Sequence, residues 1–135
     1  MTKQANEKYT NQQPWIEATV LRGDQTGRTI GFPSLNFDPS LWPNNLRENP
    51  GVYASLVRIA GQTHHGALFF GSRLVMGETH NVLEIYVLDF TADVYDQIVE
   101  FQIGEFIHPP HNFSSLTALK VQLSQDVIAI QAAAA

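Results

Sequence analysis

The chain has 135 residues, of which 44% are apolar and 16% are charged, a composition typical of one soluble globular domain. Its formal net charge is −5, with 8 basic and 13 acidic residues and no basic stripe, which argues against nucleic acid as a partner. It has no cysteine, so disulfides, thiolate metal sites and cysteine catalysis are excluded.

The two ends of the chain differ in composition from its middle. Residues 1–13 are polar and lack the apolar core of a secretory signal, so we expect a flexible tail there. No apolar run approaches the roughly 18 residues of a membrane span, so we expect no membrane partner and take the cytoplasm as the default compartment. The folded domain is predicted over 14–131, with residues 132–135, all alanine, as a frayed helix end.

The first predicted strand, Ile16–Leu21, ends at Gly23 and is followed by the segment Gly27–Phe37. This segment combines glycines, which let backbone N–H groups approach an anion, with the countercharge of Arg28. Ser34 and Asn36 would share one face of an extended chain, where their oxygens suit a hard cation such as Mg²⁺. The pattern predicts either a cradle for phosphates and a cation or a glycine-punctuated loop with a proline turn.

A long irregular stretch, 38–50, comes next and contains three prolines. Long loops in compact domains are often functional or mobile, so this stretch is either a lid or a crossover packed down by Trp42.

Alternating segments then predict four more strands. Val52–Ile59 and Thr63–Phe70 form a hairpin around the turn at 60–62. Val82–Phe90 and Ile98–Phe106 are expected to form a second pair, joined by the polar connection 91–97. With the extended part of Ile30–Phe37 this gives six strands, whose spacing indicates an all-β fold with a closed or sandwiched antiparallel sheet.

An amphipathic helix ends the chain. Apolar residues recur at helical spacing and predict one buried face, with Ser114 or Ser115 as the N-cap: Leu116, Leu119, Leu123, Val127 and Ile130.

Glu84 lies within Val82–Leu88, the most apolar predicted strand. A strand carboxylate usually faces solvent, but in an apolar wall it can act as a general base that takes the proton of an attacking hydroxyl.

The histidines give weaker signals. His108 and His111 form a His-Pro-Pro-His run, but two histidines with no nearby carboxylate make a poor zinc set. His64 and His65 lie beside the predicted hairpin turn, and we expect them to be exposed.

Three segments together resemble the riboflavin kinase family. The family signature Gly-Arg-x-Leu-Gly-Phe-Pro-Thr-Ala-Asn is matched by Gly27, Arg28, Gly31, Phe32, Pro33 and Asn36. The family strand Val-Glu-x-His-Ile-x-Asp-Phe is matched by Glu84, Val87, Asp89 and Phe90. The final segment Phe-x-Ser-Leu-x-x-Leu-x-x-Gln-Ile-x-x-Asp is matched by Phe113, Ser115, Leu116, Leu119, Gln122 and Asp126.

The resemblance implies a six-stranded antiparallel Greek-key-type barrel with a C-terminal α-helix. It also implies ATP-dependent phosphorylation of the riboflavin 5′-hydroxyl, giving FMN and ADP, by a monomer that uses Mg²⁺, with Zn²⁺ or Mn²⁺ as other candidate metals. Glu84 is the implied catalytic base, and Ser34 and Asn36 are the implied metal ligands. The implied ATP-binding residues are Gly23, Gly27, Arg28, Ser34, Asn36, Val87, Asp89 and Tyr95, and the implied flavin-binding residues are His108, His111 and Phe113. The adenylyltransferase domain that accompanies some members is not expected here.

Several positions depart from the family pattern: Leu35 replaces Ala, Phe69 lies near a missing Asn, Tyr86 replaces His, Asp96 replaces Gly, His108 replaces Arg and Pro110 replaces Glu. Phe69 and Phe70 are either core residues or a wall for the isoalloxazine ring.

Because of these departures, two other functions stay open. One is a non-catalytic flavin- or nucleotide-binding module, and the other is an interaction barrel that presents an exposed Trp42 with Phe69 and Phe70.

Overall fold

The computed structural model describes residues 14–22, 31, 33–72, 81–111, 113 and 115–134. They form six strands and a C-terminal helix: β1 Ile16–Thr19, β2 Leu35–Phe37, β3 Gly51–Ile59, β4 Gln62–Ser72, β5 Asn81–Val87, β6 Ile98–His108 and α1 Leu116–Ala134. None of the described helices has both the length and the apolar character needed to cross a membrane.

The strands form one antiparallel sheet in the order β1-β6-β3-β4-β5-β2. The two edges of this sheet meet where the backbone N–H of Leu21, just after β1, donates to the carbonyl of Asn36 in β2 at 2.7 Å. The protein is thus a nearly closed six-stranded antiparallel barrel with one C-terminal helix, which confirms the predicted fold class.

Alternation along the strands produces two apolar layers. Side chains such as Leu68, Leu83, Ile85 and Phe101 point inward and form the barrel core, where each is at most 1% exposed. A second cluster lies between the outer face of the sheet and α1 and comprises Val52, Ala54, Ala67 and Leu88 together with Ile130 of the helix. The helix therefore covers the outer face of the barrel with the apolar face that its sequence predicts.

The helix begins and ends close to the predicted positions. Ser115 is its cap, since the Ser115 hydroxyl accepts a hydrogen bond from the N–H of Ala118 at 3.1 Å. The last helical residue is Ala134.

The expected pairing of the fifth and sixth predicted strands, Val82–Phe90 and Ile98–Phe106, with each other is wrong. β5 pairs with β4 and β2, whereas β6 pairs with β1 and β3. The connection between them runs along the end of β1, where the carbonyl of Val20 accepts from Asp96 N–H at 2.8 Å and Val20 N–H donates to Gln97 at 2.9 Å. Val94 in this connection is buried and closes one end of the core. The connection is therefore not simply a polar turn.

The β3–β4 hairpin turns at Ala60 and Gly61, where φ is +51° and +81°. Positive φ at both central residues is typical of the type I′ turn, whose twist matches that of the flanking strands. His64 and His65, expected to be exposed, are half-buried on β4, and the ring of His64 lies edge-on to Phe90 at 5.2 Å.

The 38–50 stretch is a packed crossover. It forms two 3₁₀ turns, Pro39–Leu41 and Asn44–Leu46, with Trp42 between them. Trp42 is 1% exposed, stacks on Phe70 at 4.8 Å and donates its Nε1–H to Leu46 O at 2.9 Å. The crossover alternative is confirmed, and the alternative with an exposed Trp42 and Phe70 is wrong, because both rings are buried in the barrel core.

Gly66 of β4 lies between β3 and β5, where there is no space for a side chain. A Cβ atom there would be 2.6 Å from Cγ2 of Ile85 and 2.9 Å from the hydroxyl of Ser55. We expect Gly66→Ala to lower the free energy of unfolding by about 1–3 kcal/mol, because a filled core must shift to admit a methyl group. Chemical denaturation measures this, with the exposed Thr63→Ala on the same strand as control. Equal midpoints for the two variants would contradict the close approach.

Candidate active site

Glu84 is a buried carboxylate on the outer face of the barrel. It is 8% exposed, so the solvent-facing alternative is wrong. The strand register sets Glu84 opposite Asn36 of β2 on one side and Phe69 of β4 on the other. Directly paired residues share a face with Cβ atoms about 4.5–5.5 Å apart, so the three side chains lie in one row.

Asn36 is oriented by its own amide group. Its Nδ2 donates to the carbonyl of Ser34 at 3.3 Å and to that of Arg22 at 3.4 Å. With the nitrogen directed at main-chain carbonyls, the Oδ1 atom is the acceptor that Asn36 offers to a ligand. An amide oxygen and the Ser34 hydroxyl are oxygen ligands of the kind that Mg²⁺ accepts, and such a cation needs water and substrate oxygens in addition.

A small cavity, here called the Ser34 cavity, brings three predicted ATP-binding residues together. Its volume is about 80 Å³, and its walls include Ser34, Val87 and Tyr95. Asp93 fixes the backbone of Tyr95 by accepting its N–H at 3.2 Å. Arg22 extends over the Tyr95 ring, with its Cζ 4.3 Å from the ring centroid, which places a cation beside this cavity.

A second cavity, here called the His108 cavity, collects the predicted flavin-binding residues. It has a volume of about 40 Å³ and is lined by His108, His111 and Phe113 together with Phe69 and residues of α1. The ring of His111 is edge-on to His108 at 4.4 Å and parallel to Phe113 at 6.2 Å. Phe69 belongs to this wall, so of the two phenylalanines only Phe70 is a barrel-core residue.

His108 is held by a polar network that the sequence motifs do not reveal. Its Nε2 lies 2.7 Å from Oδ1 of Asp126, and Gln122 donates to the same oxygen at 2.9 Å. Asp126 is 2% exposed, so this contact joins the end of β6 to a buried carboxylate on α1.

Some predicted residues lie elsewhere. Asp89 lines a separate cavity with His64, His65 and Gln131 and does not contribute to the Ser34 cavity. The predicted phosphate-binding residues Gly23, Gly27 and Arg28 lie outside the described residues. Arg22 was not among the predicted residues, because its only signal is its position at the end of the first strand.

Two departures from the family pattern have conformational explanations. Asp96 adopts φ +68°, a conformation that favours glycine and that Asp tolerates better than most residues. Leu35 pairs with Ile85 and packs against the barrel core, so its larger side chain fills the interior beside the Ser34 cavity.

Two further observations limit where a metal or ligand could bind. Among the described residues, no group of three or more His, Cys, Asp or Glu side chains could hold a metal ion. A larger cavity between described residues, about 570 Å³, is lined by residues such as Tyr53, Leu46 and Phe106, and its lining includes none of the predicted site residues.

Comparisons with known proteins identify the same family that the sequence motifs indicate. A family model described as flavokinase, riboflavin kinase, matches residues 10–134. Over 111 residues the chain is 33% identical to a bifunctional riboflavin kinase/FMN adenylyltransferase of Listeria monocytogenes, covering 82% of this chain and 35% of that protein. Over 113 residues it is 34% identical to the RNA-binding riboflavin kinase RibR of Bacillus subtilis, covering 83% of this chain and 47% of RibR.

A solved structure described as a macrolide-efflux protein of Streptococcus pneumoniae superposes with a TM-score of 0.74 at 25% identity, covering 88% of this chain and 38% of that one. The chain thus spans between about a third and a half of these curated relatives.

Proposed function

The chain belongs to the riboflavin kinase family, and we propose that it transfers the γ-phosphoryl group of ATP to the 5′-hydroxyl of riboflavin, giving FMN and ADP. The observation that carries this proposal is the position of Glu84. It lies in register between Asn36, whose amide donates to the carbonyl of Ser34, and Phe69, which lines the His108 cavity. A base between a nucleotide and an alcohol is the arrangement that phosphoryl transfer to that alcohol requires.

Glu84 has the role of general base. Its carboxylate accepts the proton of the 5′-hydroxyl while the hydroxyl oxygen forms the new bond to the γ-phosphorus and the bond to the ADP oxygen breaks. Burial beside Phe69 removes water that would otherwise compete for the carboxylate.

Ser34 and Asn36 supply the metal ligands of this chain. A bound Mg²⁺ neutralises the charge of the β- and γ-phosphates. The Asn36 amide is fixed by the carbonyls of Ser34 and Arg22, so its Oδ1 is oriented before any ligand arrives. Arg22 and Tyr95 belong to the nucleotide side, with Gly23, Gly27 and Arg28 as further phosphate-binding candidates and Val87 as an apolar contact.

His108, His111, Phe113 and Phe69 form the flavin side. An edge-on imidazole pair and a parallel aromatic pair offer flat surfaces to a planar ring. The cavity of about 40 Å³ is far smaller than small-molecule sites of about 300 Å³ or more, so riboflavin entry requires movement of its wall.

RibR is described as RNA-binding, but we do not propose RNA binding for this chain. The chain matches 47% of RibR and carries a net charge of −5 without a basic stripe. The FMN adenylyltransferase activity of other relatives is likewise not assigned to these residues, since the match covers 35% of the Listeria protein.

The test is incubation with riboflavin and Mg-ATP, followed by chromatography for FMN and ADP. Equal amounts of FMN and ADP, and their loss when EDTA is added, are expected. Riboflavin fluorescence quenching without ATP consumption would instead identify a non-catalytic flavin-binding module.

Asn36→Ala is expected to lower kcat/KM by about 10- to 100-fold and to raise the Mg²⁺ concentration needed for half-maximal rate, because it removes a metal ligand. Metal titrations of the initial rate measure this. Asn45→Ala is the control, since Asn45 is an exposed amide on the crossover. An unchanged metal dependence in Asn36→Ala would remove Asn36 from the metal site.

A further inference from the structure

The ring of His108 lies between two hydrogen-bond acceptors. Its Nε2 is 2.7 Å from a carboxylate oxygen of Asp126, and its Nδ1 is 2.6 Å from the carbonyl oxygen of Pro109. A neutral imidazole has one N–H and therefore serves one of them, whereas the imidazolium donates to both. These two hydrogen bonds therefore form together only when His108 is doubly protonated.

The two bonds are not equally easy to lose. Asp126 is 2% exposed, and a buried carboxylate deprived of a donor is costly, even with Gln122 donating at 2.9 Å. Pro109 is exposed, so water can replace the imidazole at its carbonyl. When His108 loses a proton, the tautomer that keeps Nε2–H on Asp126 is therefore favoured, and the Nδ1 lone pair then faces Pro109 O.

Pro109 directly precedes Pro110 and His111, which line the His108 cavity, and the volume of this cavity is about 40 Å³. A planar tricyclic ligand does not fit this volume, so its entry requires movement of the cavity lining.

We propose that His108 is a proton-controlled latch on the flavin side of the active site. In its protonated form it ties Pro109 to Asp126 and keeps the cavity closed, and in its neutral form it retains Asp126 and releases the Pro109–His111 wall. This inference rests on the proposed function for the identity of the ligand, a flavin, but the protonation-linked hydrogen bond is a property of the ligand-free protein.

Among the residues that the structure describes, few other titratable groups surround His108. Asp126 approaches from α1, and His111 lies edge-on at 4.4 Å. The other cavity residues, from β3 and β4, are Val52, Phe69 and Ser72, which do not titrate near neutral pH. The latch is closed while His108 carries both ring protons and opens when His108 loses the Nδ1 proton.

The ligand-free test uses NMR of isotope-labelled protein between about pH 6 and pH 8. Ring nitrogen shifts of His108 are expected to change from the doubly protonated form to the Nε2–H tautomer, and the Pro109 carbonyl carbon shift is expected to change with the same midpoint. The proposal would be overturned by an Nδ1–H tautomer at high pH. It would also be overturned by a Pro109 carbonyl chemical shift that does not change with the protonation of His108.

The ligand test is stopped-flow quenching of riboflavin fluorescence. The association rate constant is expected to rise about fivefold or more between about pH 6 and pH 8, the size of a typical coupling between sites. His108→Arg, charged at every pH, removes the pH dependence, whereas His64→Gln, outside this cavity, and His111→Phe keep it. The proposal is overturned if His108→Arg responds to pH as the wild type does.

The two proposals fail in different ways. Riboflavin that does not bind at any pH, together with the expected tautomer change, would remove the flavin assignment and leave the latch intact. Riboflavin phosphorylation with a pH-independent association rate would support the flavin assignment and remove the latch.

Discussion

Replacing Glu84 by glutamine is expected to lower kcat for FMN formation by about 10²- to 10⁴-fold, the usual contribution of a general base. Glutamine has nearly the same shape and can occupy the same buried position between Asn36 and Phe69. It cannot take up the hydroxyl proton at neutral pH. The affinity for riboflavin should stay within about threefold of the wild type, because the amide removes an interaction that matters chiefly in the transition state.

Single-turnover formation of FMN measures the rate, and fluorescence quenching measures the affinity. Glu100→Gln is the matched control: Glu100 also lies on a strand, but its half-exposed carboxylate pairs with Arg58 at 2.9 Å. We expect this control to keep the wild-type rate. If Glu84→Gln turns over as fast as Glu100→Gln, Glu84 is not the base, and the proton passes to phosphate or solvent.

The barrel could be predicted from local patterns, but the pairing of its strands could not. Alternation along β5 places Leu83 and Ile85 on one face and Glu84 on the other, and this holds in the structure. The pattern contains no information about which strand lies beside Glu84. Proximity in sequence suggested β6 as the partner of β5, whereas β2 and β4 occupy those positions.

The candidate site was predictable only where its chemistry is local in sequence. Ser34 and Asn36 belong to one short segment, so their residue types alone suggest a cation site. The contact between His108 and Asp126 joins residues 18 positions apart on different elements, and no spacing rule predicts it. Arg22 has no motif around it and becomes a candidate only through its position over Tyr95.

Trp42 shows what an irregular segment leaves open. Prolines around a large aromatic residue are compatible with either a lid or a packed crossover, and only the structure shows this ring against Phe70 and Tyr53, where it closes the barrel core. Each 3₁₀ turn beside it satisfies backbone groups locally, which allows a chain without regular secondary structure to be packed down.

Trp42→Ala is therefore expected to lower the free energy of unfolding by about 3–5 kcal/mol, a large part of the stability of a domain of this size. Trp42→Phe should cost less, since a smaller ring can still stack on Phe70 while the hydrogen bond to Leu46 is lost. Urea denaturation measures both, with Trp15→Ala as control, because Trp15 stacks on the Arg58 guanidinium at 3.8 Å at the barrel surface. We expect that control to cost below about 1 kcal/mol, as exposed cation–π pairs do. If Trp42→Ala were as mild as the control, the ring would not close the core, and an exposed docking surface at this end of the barrel would become the better interpretation.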